Sequence, residues 1–81
     1  MSYYVYVLES KSSGKHYFGS TENLEKRLAT HNAGKVRSSK AFRPYKIIYT
    51  EKFQTRSEAF RREQFFKSIE GRIFLKQKNI L

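Results

Sequence analysis

His16-Tyr17-Phe18-Gly19-Ser20-Thr21-Glu22-Asn23-Leu24-Glu25-Lys26-Arg27-Leu28-Ala29-Thr30-His31 joins two kinds of structure within one short stretch. Its first residues read as an aromatic strand that ends at a glycine. The remainder reads as a helix, capped from the run Thr21 to Asn23. Arg27 and His31 stand four residues apart, so they share one helix face with Leu24 and Leu28. A cation and an imidazole thereby lie at the edge of a buried stripe, near the point where the strand delivers Tyr17. On the strand, Tyr17 and Gly19 point one way while His16 and Phe18 point the other. Gly19 leaves space beside Tyr17 or lets backbone approach closely.

On the N-terminal side, Tyr3-Tyr4-Val5-Tyr6-Val7-Leu8 is apolar or aromatic on both alternating faces, which predicts a strand covered on both sides and central in its sheet. Ser10 to Gly14 is a turn, and Lys15 to Ser20 returns as the second arm of a hairpin. On the C-terminal side, the first helix stops at Gly34. Lys35-Val36-Arg37-Ser38-Ser39-Lys40-Ala41-Phe42-Arg43-Pro44 is then a basic, serine-bearing connection with room for a helical turn. Tyr45 to Phe53 alternates as a third strand. Thr55-Arg56-Ser57-Glu58 matches a capping box opening a helix that runs to about Glu70. Its apolar stripe is Ala59, Phe60, Phe66 and Ile69, with Glu63 on the same stripe. Gly71 is expected to end that helix, and Ile73-Phe74 with Ile80-Leu81 to form a short closing one. The expected fold is α/β (α+β), a small three-stranded antiparallel sheet flanked by helices, in a single domain over residues 1–81.

Composition narrows the chemistry. The chain is 38% hydrophobic and 16% aromatic, so a core built on large rings is within reach. It has no cysteine, which excludes disulfides and Cys-based zinc sites and fits a cytoplasmic location. No secretory signal or membrane-length apolar run is apparent. All seven acids are glutamates, so the aspartate clusters of many two-metal nucleases are excluded. The net charge is +10, and Lys26, Arg27, Lys35, Arg37, Lys40, Arg43 and Lys46 follow one another with no acid between Lys26 and Thr50. Such a field selects nucleic acid ahead of an anionic membrane, for which no long basic amphipathic helix is available.

Taken singly, each candidate residue has an ordinary structural reading. Glu63 is an ion-pair partner for Arg61, Arg62 or Lys67. His31 is a helix histidine, Arg27 a solvated charge, and Tyr4, Tyr6 and Tyr17 are packing aromatics with hydroxyls at the rim. The ordered set is another matter. Val5-Tyr6, then Tyr17-Phe18-Gly19, then Arg27, His31 and Glu63 resembles the GIY-YIG nuclease superfamily, and the whole chain is similar to its compact stand-alone bacterial members. Arg27-Leu28…His31-Asn32…Gly34-Lys35 and Arg56-Ser57-Glu58-Ala59…Arg61-Arg62-Glu63 carry the same likeness. Tyr4 stands where the family often has glycine, Phe18 where it has isoleucine, and Ser20 where some members have lysine.

The resemblance implies a metal-dependent endonuclease that hydrolyses phosphodiester bonds, with DNA ahead of RNA as substrate. It implies one Mg²⁺ or Mn²⁺ held by Glu63, water orientation or deprotonation by Tyr6 or Tyr17, phosphate clamping by Arg27, and proton carriage by His31. Lys35, Arg37, Lys40 and Arg43 are expected on backbone phosphates, and Gly19 as the motif's structural glycine. The rival is a basic nucleic-acid-binding domain of the same fold with weak or no catalysis. A third reading is a small accessory protein docked on a ribonucleoprotein.

Overall fold

The computed structural model describes all residues from Met1 to Leu81. Strands β1 (Tyr3–Ser10), β2 (His16–Thr21) and β3 (Tyr45–Phe53) form one antiparallel sheet in the order β2-β1-β3. The doubly apolar strand is therefore the central one. Its pleat divides the core: Val5 and Val7 face Phe18, Phe66 and Leu75, while Tyr6 and Leu8 face Tyr45. Burying a ring such as Phe66, which is fully covered, contributes about 2–3 kcal/mol. β1 and β2 pair in unbroken register from Tyr4↔Thr21 to Glu9↔His16, which sets Tyr6 directly opposite Gly19. The β1–β3 pairing carries an irregularity between Val7 and Leu8.

Helix α1 (Leu24–Asn32) contributes Leu24 and Leu28 to the Tyr6–Leu8 face of the sheet. Asn23 caps it by accepting from the Lys26 N–H. After Gly34, which sits at φ +75, the chain continues through the basic connection. A single 3-10 turn, Lys40–Phe42, forms within that connection. Helix α2 (Arg56–Lys67) opens with the full Thr55/Glu58 capping box and packs on the opposite face of the sheet. Arg62 ties this layer to β3: its Nε and NH2 groups donate to the two oxygens of Glu51 at 2.7 and 3.2 Å. Its guanidinium also lies over the rings of Phe65, Phe66 and Phe74.

The end of α2 departs from expectation. The helix stops at Lys67, and α3 (Ile69–Gln77) begins at once with Gly71 inside it. Ser68 makes the break. Its extended backbone closes α2, its hydroxyl donates to the Phe65 carbonyl, and the same oxygen caps α3 by accepting from the Gly71 N–H. Gly71 serves close packing instead of termination, because a Cβ there would overlap the Phe65 carbonyl. The kink also redistributes the apolar stripe. Ala59 and Phe66 are buried as expected, but Phe60 and Ile69 are exposed, and Phe65 and Phe74 pack against the core in their place.

Candidate active site

Gly19 explains why one tyrosine crosses the sheet as it does. A Cβ at this position would overlap the hydroxyl and Cζ of Tyr6, its cross-strand partner. The space that the glycine opens is thus filled by Tyr6 rather than left beside Tyr17. The Tyr6 ring reaches across β2 to α1, where its hydroxyl meets His31 Nε2 at 3.1 Å. Arg27, one turn earlier on α1, donates from Nε to the same hydroxyl at 3.3 Å. The i, i+4 spacing of Arg27 and His31 therefore clasps one phenolic oxygen from two sides.

His31 is fully buried. The rings of Tyr6, Tyr17 and Tyr45 surround it edge-on, with Tyr17 nearest at 4.9 Å between centroids. Its second nitrogen, Nδ1, lies 2.7 Å from the hydroxyl of buried Ser39. Burial, reinforced by the Arg27 charge, lowers the His31 pKa from 6.5 to about 4. The imidazole is therefore neutral at pH 7 and has an accepting nitrogen to offer. Tyr6 is shifted the other way. Burial raises its pKa, the hydrogen bond and charge of Arg27 oppose that, and the negative charge of Glu63 adds a smaller push upward. Tyr6 therefore keeps its proton at neutral pH.

The structure separates the two tyrosines that the sequence leaves as alternatives. Tyr6 bonds Arg27 and His31, whereas the Tyr17 hydroxyl bonds Ser38 of the basic connection at 3.0 Å. Glu63 hydrogen-bonds none of the four. It projects from α2 toward the β2 edge, where Ser20 donates to Oε1 at 2.8 Å and Lys67 to Oε2 at 2.8 Å. Its side chain is only 12% exposed. Lys67 is thus the partner that Glu63 takes from among its neighbours. Arg27 also lines a polar groove of about 190 Å³ with Ser20, Tyr3 and Arg56. That groove brings the guanidinium and the serine that holds Glu63 to one surface.

Among the basic residues of the connection, Arg37, Lys40 and Arg43 line one open concavity of about 510 Å³. Lys35 is exposed but does not line it. Arg43 folds back over Gly34 and donates to the Lys40 carbonyl at 3.0 Å. Sequence reasoning misses Ser20, Ser38 and Ser39 as site residues. The one available signal is the serine pair set among basic residues in a long connection.

A metal is tested by the donors present. No group of three or more His, Cys, Asp or Glu side chains comes together. One nearly covered carboxylate beside a groove fits Mg²⁺, which keeps several waters and takes one or two carboxylates with phosphate completing its shell. It does not fit a dehydrated, protein-caged ion.

Comparison with known proteins gives the family. A UPF0213 protein of Staphylococcus haemolyticus is 45% identical over 67 residues, covering 82% of this chain and 80% of the relative. One from Bacillus licheniformis is 45% identical over 69 residues, covering 84% and 70%. The solution NMR structure of a UPF0213 protein from Bacillus halodurans superposes with a TM-score of 0.55 at 31% identity, covering 95% of this chain and 84% of that one. The model of the GIY-YIG catalytic domain matches residues 2–78, so the chain belongs to the GIY-YIG family.

Proposed function

We propose that this protein is a metal-dependent endonuclease that hydrolyses phosphodiester bonds in nucleic acid, DNA ahead of RNA, with Tyr6 as the group that takes the proton from water. One observation carries the reading: the Tyr6 hydroxyl is held between Arg27 and a neutral, buried His31, while Arg27 also lines the groove shared with Ser20, the partner of Glu63. Hydrolysis needs an activated water, a cation for the developing charge and a proton path. In the concerted step, a water proton moves to the Tyr6 oxygen as the Tyr6 proton moves to His31 Nε2. The water oxygen bonds phosphorus as the bond to the 3′ or 5′ oxygen breaks; that oxygen takes a proton from solvent, and His31 afterwards releases its proton to solvent.

Arg27 clamps the phosphate through its free guanidinium nitrogens. A phosphate there offsets the guanidinium charge, one of the two causes that hold His31 at low basicity, so substrate binding makes the acceptor stronger. Mg²⁺ or Mn²⁺ on Glu63, once Lys67 yields, would neutralise phosphate charge and acidify water. Tyr17 orients through its hydrogen bond with Ser38, and Lys35, Arg37, Lys40 and Arg43 hold backbone phosphates without reading sequence.

The rival, a binding domain without useful catalysis, has its own supporting observation: both Glu63 oxygens already have partners in Ser20 and Lys67. Nicking of supercoiled plasmid with Mg²⁺, Mn²⁺ or chelator, by wild type and by Glu63→Gln purified identically, separates the two. The nuclease reading expects metal-dependent nicking that Glu63→Gln lacks while still binding DNA. Equal nicking by both proteins would refute the role of Glu63. Binding without nicking by either protein would favour the rival.

A further inference from the structure

We propose that Ser39 is a positioning residue for cleavage, which fixes His31 as the Nδ1–H tautomer so that Nε2 stays free to accept from Tyr6. The inference rests on the nuclease reading for its catalytic consequence, but its structural part stands on hydrogen bonds alone.

The partners admit one economical proton arrangement. Arg27 Nε can only donate, so the Tyr6 oxygen accepts from it at 3.3 Å. The Tyr6 proton then needs an acceptor, and His31 Nε2 at 3.1 Å is its remaining partner. Nε2 must therefore carry no hydrogen, and a neutral imidazole then carries its hydrogen on Nδ1. That hydrogen points at the Ser39 hydroxyl 2.7 Å away, which accepts it and passes its own hydrogen to the Val36 carbonyl at 3.4 Å. The opposite tautomer would send Nε2–H to a Tyr6 oxygen that already accepts from Arg27. It would also leave the Tyr6 proton without a partner and take the Ser39 hydrogen away from Val36.

Ser39 is itself tightly held. It is 1% exposed, its N–H donates to the Val36 carbonyl, and its own carbonyl accepts from the Phe42 N–H and from the Tyr45 hydroxyl at 2.7 Å. Tyr45 also packs edge-on against the His31 ring. The fold thus fixes the hydroxyl that receives the Nδ1 hydrogen and completes the tautomer that Arg27 and Tyr6 require. It does so from the same connection that presents Arg37 and Lys40.

The test is long-range ¹H–¹⁵N correlation NMR of the imidazole nitrogens in the full chain, without substrate, with His16→Gln to assign the two histidines. Wild type is expected to show His31 as Nδ1–H. Ser39→Ala is expected to lose that preference, and Ser39→Thr, which keeps the hydroxyl, to restore it. In single-turnover plasmid cleavage, Ser39→Ala should be slowed by about tenfold at unchanged DNA affinity, again with recovery in Ser39→Thr. An Nε2–H tautomer in wild type, or an unchanged Nδ1–H tautomer in Ser39→Ala, overturns the proposal. If Ser39→Ala does not fold, the wild-type tautomer and the Ser39→Thr spectrum still decide it. Absence of cleavage by wild type would defeat the nuclease reading instead, a result that the tautomer measurement does not depend on.

Discussion

Lowering the pH from 7 to 5 should weaken the fold through His31. In the unfolded chain this side chain titrates near its ordinary 6.5, whereas in the folded protein burial and then the Arg27 charge hold it to about 4. Between these values the unfolded state binds the proton and the folded state does not, so stability falls as pH falls through 6.5 toward 4. Full linkage over this shift amounts to about 2 kcal/mol lost by pH 5. The molecule is only 17 Å through its thinnest extent, so nearby water screens part of the effect, and about 1 kcal/mol is the expected loss. Urea unfolding at pH 7 and pH 5 reads this as a midpoint lower by roughly 1 M at the acid end. His31→Gln, whatever its stability at pH 7, should show a flatter dependence. Glu51 does not confuse the comparison. Although burial opposes it, bonding to Arg62 and Tyr49 holds its carboxyl below the ordinary range, so its loss comes at lower pH and in both proteins alike. Equal pH slopes in wild type and His31→Gln would refute the argument that His31 is buried and neutral.

Neutralising Lys35, Arg37, Lys40 and Arg43 together should weaken DNA binding equally for unrelated sequences. The slope of log affinity against log salt should fall by roughly 0.9 for each duplex phosphate that is no longer neutralised, and titrations at several salt concentrations check both effects. Tyr17→Phe removes only the hydroxyl that reaches Ser38, so cleavage should slow by roughly tenfold with almost no change in melting temperature, read by single-turnover kinetics and calorimetry. Gly71→Ala forces a methyl group into the Phe65 carbonyl and should cost about 2 kcal/mol or more, measured by urea unfolding.

How much of this is legible in the sequence depends on the range of the interactions involved. The double-faced alternation of Tyr3 to Leu8 identifies the central strand because burial on both faces leaves no polar side to the pattern. Asn23 and the Thr55/Glu58 box mark helix starts through bonds that span three residues. Helical spacing alone places Arg27 and His31 on one face, and it correctly places Glu63 on the inward face of α2. What stays hidden is contact between separate elements. Nothing in the local pattern says that Ser39 meets His31, that Ser20 meets Glu63 across 43 residues, or that Gly19 makes way for Tyr6. Gly71 misleads because a glycine after a helical run is more often a stop than a packing site. Ser68, which makes the actual break, carries no comparable signal. With the helix broken there, Ile69 turns outward, where a continuous helix would have buried it.

The central claim is that Tyr6 transfers the proton, and Tyr6→Phe tests it most directly. The substitution keeps the ring that fills the space over Gly19 and deletes only the oxygen shared by Arg27 and His31. Single-turnover cleavage of a defined DNA at saturating protein and Mg²⁺ is the measurement, with calorimetry to verify folding. The account predicts a folded, DNA-binding variant whose cleavage rate falls by about 100-fold or more, as expected when a positioned acid–base group is lost. Cleavage by folded Tyr6→Phe at the wild-type rate would contradict it.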